Sequence, residues 1–466
     1  MRRRLVALAV AAVAMAAQSR DVTVRARFCD GRNATPLLQS AVDAVAASGG
    51  GTVTVTPGEY VVASLRLRSD VTLKLERNAT LLGSTNKADY AAYRNEGDTL
   101  ASVVHAEGAT NVAVVGEGVV DGRGRLHERK VTSTSSGLRL EPGRNILYFH
   151  RCGGVRVEGV TLRCGSSWSC HFRDCDGVVA RRVRIWSHCN RSNDGFDIES
   201  RNVLIEDCDV DTEDDALVVK AREPESVVED VVVRRCRLSS NAEHVKIGTE
   251  TLGTIRRILV EDCDLACRTP MSHAQPWSRL RIPGLNTVQC ALSAISLFLM
   301  DGGSVEDVTI RNISIGEGMM TPVCIRYGDR KPRRLKGKGV FRNVTIENVT
   351  MSAPSASSVA CSVAGLPQMR PENVVFRNLD LVFKGGGRAA DAAEKILDEH
   401  PSDYPTPYHV FCSMLPAYGF YLRHADGVRF ENVRMRVMDL DEKRPPIVAD
   451  DADYSASGCD FFGILP

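Results

Sequence analysis

The chain has 466 residues, 43% hydrophobic and 25% charged, with a formal net charge of +1. That balance predicts a soluble globular protein with material for a large core, and it supplies no electrostatic basis for binding nucleic acid or an anionic membrane. It leaves an anionic ligand possible, because a local basic patch can sit on a neutral chain.

Met1-Arg2-Arg3-Arg4 and the apolar run Leu5 to Ala16 read as a secretory leader, too short to span a bilayer, with small residues at Ala14 and Ala16 for cleavage. Residues 1–17 are therefore expected to be a signal peptide, and residues 18–466 a single secreted or periplasmic domain. The fifteen cysteines are an odd number, so at least one thiol has no intrachain partner. No Cys-x-x-Cys pair occurs, and Cys263 with Cys267 is too isolated for a zinc site.

The first clear element is a helix over Thr35 to Ala47, with Thr35 as N-cap, Pro36 at the first helical position and Gly49-Gly50-Gly51 ending it. Thr52 to Thr56, Ala63 to Leu67, Val71 to Leu75 and Val112 to Val115 follow as strands of alternating or continuous apolar character. From residue 145 an internal repeat takes over. Its copies begin at Val155, Val203, Val231, Ile258, Val308, Val344, Val374 and Val428, at intervals such as 28, 27, 36 and 30 residues. The sixth position runs Cys208, Cys236, Cys263; the fifth runs Asn312, Asn348, Asn378, Asn432.

That spacing suits the coils of a solenoid, whereas propeller blades need roughly 40–45 residues and antiparallel strands. The predicted fold is all-β, a parallel β-helix with the early helix capping its open core. Its inward Val, Ile and Leu would stack coil on coil, with Asn ladders satisfying one another inside the turns and Cys packing as a small apolar group. Residues 266–290 and 385–421 break the repeat; the second holds a helix candidate over Ala389 to Glu399, then Tyr404-Pro-Thr-Pro.

Chemistry concentrates between Ser192 and Gly248. Asp194 and the pair Asp214-Asp215 end short apolar runs on successive coils. Hydrolysis of a glycosidic bond with inversion needs a carboxylic acid to protonate the leaving oxygen. A carboxylate roughly 6.5–9.5 Å away must activate water. Neighbouring strand residues point to opposite faces, so Asp214 and Asp215 can share a site only if the chain bends there. Crowded like charges would then raise one of them and keep it protonated. Aspartates also cap solenoid turns for purely structural reasons.

Asn193-Asp194-Gly195-Phe196-Asp197, then Asp214-Asp215, then Lys246-Ile247-Gly248 resemble glycoside hydrolase family 28, the polygalacturonase-like, pectin-degrading enzymes. Gly116-Glu117-Gly118-Val119-Val120-Asp121-Gly122, Ile325-Arg326-Tyr327-Gly328-Asp329-Arg330 and Arg423-His424 extend the resemblance over most of the chain, toward a bacterial branch. It implies a right-handed β-helix, no metal, Asp214 as general acid, and Asp194 with Asp215 activating water.

The sequence departs from the family pattern where the sugar is read. Glu213 precedes the paired acids, Ala242-Glu243-His244 stands at the Gly-His-Gly element, and Ser296-Leu297-Phe298 stands at Arg-Ile-Lys. Lys246, Glu243, His244 and Arg326 are the candidates for substrate binding, with Lys246 and Arg326 facing outward beside inward neighbours. The expected partner is a pectic poly- or oligosaccharide, attacked from its ends by a monomeric enzyme if the two long interruptions wall off the groove. The competing readings are a catalytically impaired carbohydrate-binding β-helix, and a calcium-dependent polysaccharide lyase or epimerase.

Overall fold

The computed structural model describes residues 21–25, 33–90, 93–95, 98–127, 131–134, 137–140, 143–271, 290–330, 339–396, 398–402 and 415–464. Among them the repeat pairs with itself in parallel. Val155 lies beside Val178, Val178 beside Val203, and the column continues through Val231, Ile258, Val308, Val344 and Val374. Val178 opens a further copy, Val178-Val-Ala-Arg-Arg-Val-Arg-Ile, which its alanine and twin arginines hide from inspection. The coils form one 31-stranded sheet, wound as a right-handed parallel β-helix.

Two features of the repeat explain this winding. Its fifth residue is left-handed in every coil: Gly159 has φ 77, and Arg182, Asp207, Arg235, Asp262, Asn312, Asn348, Asn378 and Asn432 lie between 52 and 57. Glycine and Asn/Asp tolerate that conformation at little cost, which is why they recur there. The sixth residue points back into the core, and Val160, Val183, Cys208, Cys236, Cys263, Ile313, Val349, Leu379 and Val433 are all buried. Cysteine thus takes the place of valine or isoleucine, and the described cysteines are free thiols.

The asparagine ladder forms, but along an exposed outer edge and not inside the turn. Asn348 Nδ2 donates to Asn312 Oδ1 at 2.9 Å, Asn378 to Asn348 at 2.9 Å and Asn432 to Asn378 at 2.8 Å. The left-handed φ turns the fifth side chain out as it turns the sixth in.

Helix Thr35–Ala47 closes one end, burying Leu38, Ala41, Val42 and Val45 on the first strands. Its N-cap is Ala34; the Asn33 side chain accepts the Thr35 N–H at 2.9 Å, so Thr35 is already helical. At the other end the expected helix over 389–399 shrinks to Ala389–Ala392. Beyond it Arg423 binds the Ile396 carbonyl at 3.0 Å and Arg326 binds the Glu399 carbonyl at 2.5 Å, so this stretch is held by long-range side-chain contacts. The leader, residues 272–289 and Tyr404-Pro-Thr-Pro lie outside the described residues.

Asn348→Ala should destabilise the fold by about 1–2 kcal/mol, combining lost ladder hydrogen bonds with a left-handed residue that now carries a methyl group. Asn348→Gly should be the more stable of the two variants in urea unfolding, because glycine retains the turn.

Candidate active site

Between strands Asp209–Thr212 and Leu217–Ala221 the chain leaves the strand path over residues 213–216. Four hydrogen bonds shape this bend. Thr212 Oγ1 and Ser240 Oγ both donate to the Asp214 carbonyl at 2.7 Å. The Asp214 N–H donates to Asn193 Oδ1 at 3.0 Å, and the Asp215 N–H to Asp214 Oδ1 at 3.0 Å. Gly195 is required beneath the bend, since a Cβ there would meet the Ala216 carbonyl at 2.3 Å. Asp214 and Asp215 therefore meet at a corner, the one geometry that lets adjacent acids share a site.

The coil register carries Asp215 onto its neighbours. Gly195 N donates to the Asp215 carbonyl at 2.8 Å, and Ala216 N to the Glu243 carbonyl at 2.9 Å. Asp194, Asp215 and Glu243 thus occupy one position on three successive coils, about 4.8 Å apart along the axis. All three are buried, whereas Asp214 is partly exposed.

Two lysines balance this row of acids. Lys220 Nζ lies 2.6 Å from Asp197 Oδ1 and 3.3 Å from Asp194 Oδ2, with the Trp168 ring centroid 4.0 Å away. Lys246 Nζ lies 2.9 Å from Asp215 Oδ2 and 3.3 Å from Glu243 Oε2. Each lysine serves two carboxyls, and Asp214 stands between the two sets.

Burial is the main force on these groups, and it favours the uncharged acid. It pushes Asp214 well above the ordinary carboxyl range, helped by the charges of Asp194 and Asp215 and opposed by Lys246. Asp194 is raised by burial against the pull of Lys220, with Asp215 adding to the rise. Burial also raises Asp197 and Glu243 strongly, despite Lys220 and Lys246. Burial alone would lower the Lys220 ammonium, but Asp197 and Asp194 outweigh it and hold the group above its usual value. Nearby, burial works to raise Glu250, yet Lys220, Arg330, Arg222 and Lys246 bring it down to about 2.

The structure brings Asp194, Asp214, Asp215, Glu243 and Lys246 together and seats the other two candidates elsewhere. His244 is buried between coils, accepting the Ser240 N–H at Nε2 (3.3 Å) and facing the Ser293 carbonyl from Nδ1 (3.3 Å). Burial lowers it to about 4, so it is a neutral group satisfied by backbone. Arg326 does point outward, but its guanidinium donates to the carbonyls of Gly365 (3.1 Å) and Glu399 and seats residues 398–402. Lys220 and Asp197 escaped the sequence reading. The alternation that turns Lys246 outward beside Val245 and Ile247 also turns Lys220 outward beside Val219, so the signal was present; Trp168 had none.

The outward face on both sides of the acids is covered. Register links Tyr148, His171, Asp197, Val218, Lys246, Ser296, Cys324, Ser362 and Tyr421 into one column. Every member is buried. Toward the C-terminal end Ile396 packs on Ala360, Ala364 and Tyr421, and the Pro401 carbonyl accepts the Asp329 N–H at 2.7 Å.

The model of the glycosyl hydrolases family 28 matches residues 50–234, which include Asp194, Asp214 and Asp215. The matched stretch is less than half of the chain. A probable polygalacturonase of Vitis vinifera is 26% identical over 289 residues, covering 56% of this chain and 57% of that protein. An endo-polygalacturonase of Pectobacterium carotovorum subsp. carotovorum is 23% identical over 220 residues, covering 44% and 54%. The chain thus spans little more than half the length of these relatives. The exopolygalacturonase of Thermotoga maritima has the same fold, with a TM-score of 0.66 at 18% identity, over 90% of this chain and 92% of that one.

A carboxyl raised in the folded state binds its proton more tightly there than in the unfolded chain. The stability it contributes is present below the unfolded value, about 4, and is lost as pH rises through the folded value. Asp214→Asn removes that titration. The variant should melt at a higher temperature than the parent at pH 7, and the gap should close as the pH falls toward 4.

Proposed function

We propose that the protein is an inverting glycoside hydrolase acting on pectic poly- or oligosaccharides. Asp214 gives its proton to the leaving glycosidic oxygen, while Asp194 and Asp215 orient and deprotonate the attacking water. The carrying observation is the asymmetry of the cluster. Asp214 alone of the three aspartates is partly exposed and, among the described residues, forms no ion pair with a lysine, and burial beside two other carboxyls raises it. Asp194 and Asp215 each carry an ammonium partner, and at Asp194 that partner opposes the rise that burial brings. Inversion requires one carboxylic acid for the leaving oxygen and a carboxylate that activates water. The named activities of the curated relatives support pectic glycans as substrate.

The burial of the outward column around the acids, among the described residues, supports attack at chain ends. A cation-dependent lyase or epimerase is the weaker reading, because Lys220 and Lys246 already supply positive charge among these carboxylates. The reading takes residues 18–466 as one catalytic domain, secreted or periplasmic and monomeric.

Asp214→Asn should lower kcat on homogalacturonan or rhamnogalacturonan oligomers by about a thousandfold, as loss of a general acid does. NMR of the wild-type reaction should show the inverted anomer first, as a terminal sugar. Equal turnover by both proteins would refute the assignment of Asp214.

A further inference from the structure

Lys246 and Glu243 sit close to the acids, but their contacts are made within the protein. Lys246 Nζ spans Asp215 Oδ2 at 2.9 Å and Glu243 Oε2 at 3.3 Å, with the lysine, both acids and the methylenes between them buried. The remaining oxygens, Asp215 Oδ1 and Glu243 Oε1, are also buried, and neither receives a donor from the described residues. The two carboxyls lie within hydrogen-bonding reach of each other. Two carboxylates cannot hydrogen-bond without a proton, so one of the pair carries it. Glu243 is the group that burial and the Asp215 charge drive toward the protonated form.

We propose that Glu243 and Lys246 are positioning residues for Asp215: the Glu243 carboxylic acid donates a hydrogen bond to Asp215, and the Lys246 ammonium balances the charge that remains. Asp215 is then held between the Lys246 ammonium at Oδ2 and the Glu243 carboxyl. A base held that way keeps one orientation toward water, at a site where misplacement by about 1 Å can cost a hundredfold in rate. Lys220 serves Asp194 and Asp197 in the same manner on the preceding coil. The charged groups that bear on Asp215 are Asp194 from the coil before, Asp214 beside it, and Glu243 and Lys246 from the coil after. On this reading Lys246 does not read a substrate carboxylate.

This inference rests on the hydrolase reading, and its test separates the two. Initial rates on pectic oligosaccharides are measured against pH for the full chain and for Glu243→Gln, Glu243→Ala, Lys246→Met and Lys246→Arg, each checked for folding by near-UV circular dichroism. Gln keeps an N–H donor toward Asp215, so Glu243→Gln should stay within about threefold of the parent in kcat, while Glu243→Ala loses on the order of tenfold to a hundredfold with little change in KM. Lys246→Met should move the acidic limb of kcat/KM to higher pH by about one unit, and Lys246→Arg should return it. A merely structural role would lower activity equally at every pH. The proposal is overturned if Lys246→Met raises KM with the limb unmoved, or if Gln and Ala at 243 are equally impaired. It is also overturned, with the hydrolase reading left standing, if all four variants match a wild type that Asp214→Asn inactivates. A wild type without turnover overturns both.

Discussion

Coil-to-coil register is the constraint from which the rest of this structure follows. Parallel strands hydrogen-bonded at a fixed rise place equivalent residues of successive coils directly above one another. A side chain therefore meets its counterparts one turn away, whatever their distance along the chain. The core uses this to stack valine on isoleucine on cysteine, and the outer edge to run asparagine on asparagine. The site uses it to bring Asp194, Asp215 and Glu243 into one row from positions 21 and 28 residues apart.

A row of acids on such a lattice is unstable unless its charge is relieved, since buried like charges at coil spacing repel and lack solvent. The molecule relieves it twice over. Lys220 and Lys246 neutralise part of the charge, and burial keeps protons on several of the remaining carboxyls. The bend at 213–216 adds an asymmetry, because it sets Asp214 at the corner, partly exposed and, among the described residues, without an ion-paired ammonium. A strand continuing straight through these residues would have sent Asp214 and Asp215 to opposite faces.

How much was legible beforehand follows from the range of the forces involved. The repeat, the solenoid and the early helix rest on local periodicity, and they were visible, with the N-cap misplaced by one residue and the copy at Val178 unseen behind its alanine and arginines. Outward placement of Lys246 and Arg326 followed from strand alternation alone. Their partners did not: Lys246 turned to two carboxyls and Arg326 to two carbonyls, one of them supplied by Glu399 from 73 residues away. The helix expected over 389–399 ends at Ala392, and the Ile396 and Glu399 carbonyls beyond it are held by distant arginines. His244 kept its place in the strand but gave its ring to backbone groups of its own and the next coil.

By itself the sequence determined the coil, because residue patterns of period two and turns at fixed offsets are local properties of the chain. It also determined which acids could take part, since position within the repeat decides which residues stack. The tertiary structure alone decided what each of those acids is. Protonated or ionised, exposed or tethered, each carboxyl's state depends on desolvation and on charges brought from other coils. Those are properties of the assembled solenoid, to which no single stretch of sequence has access.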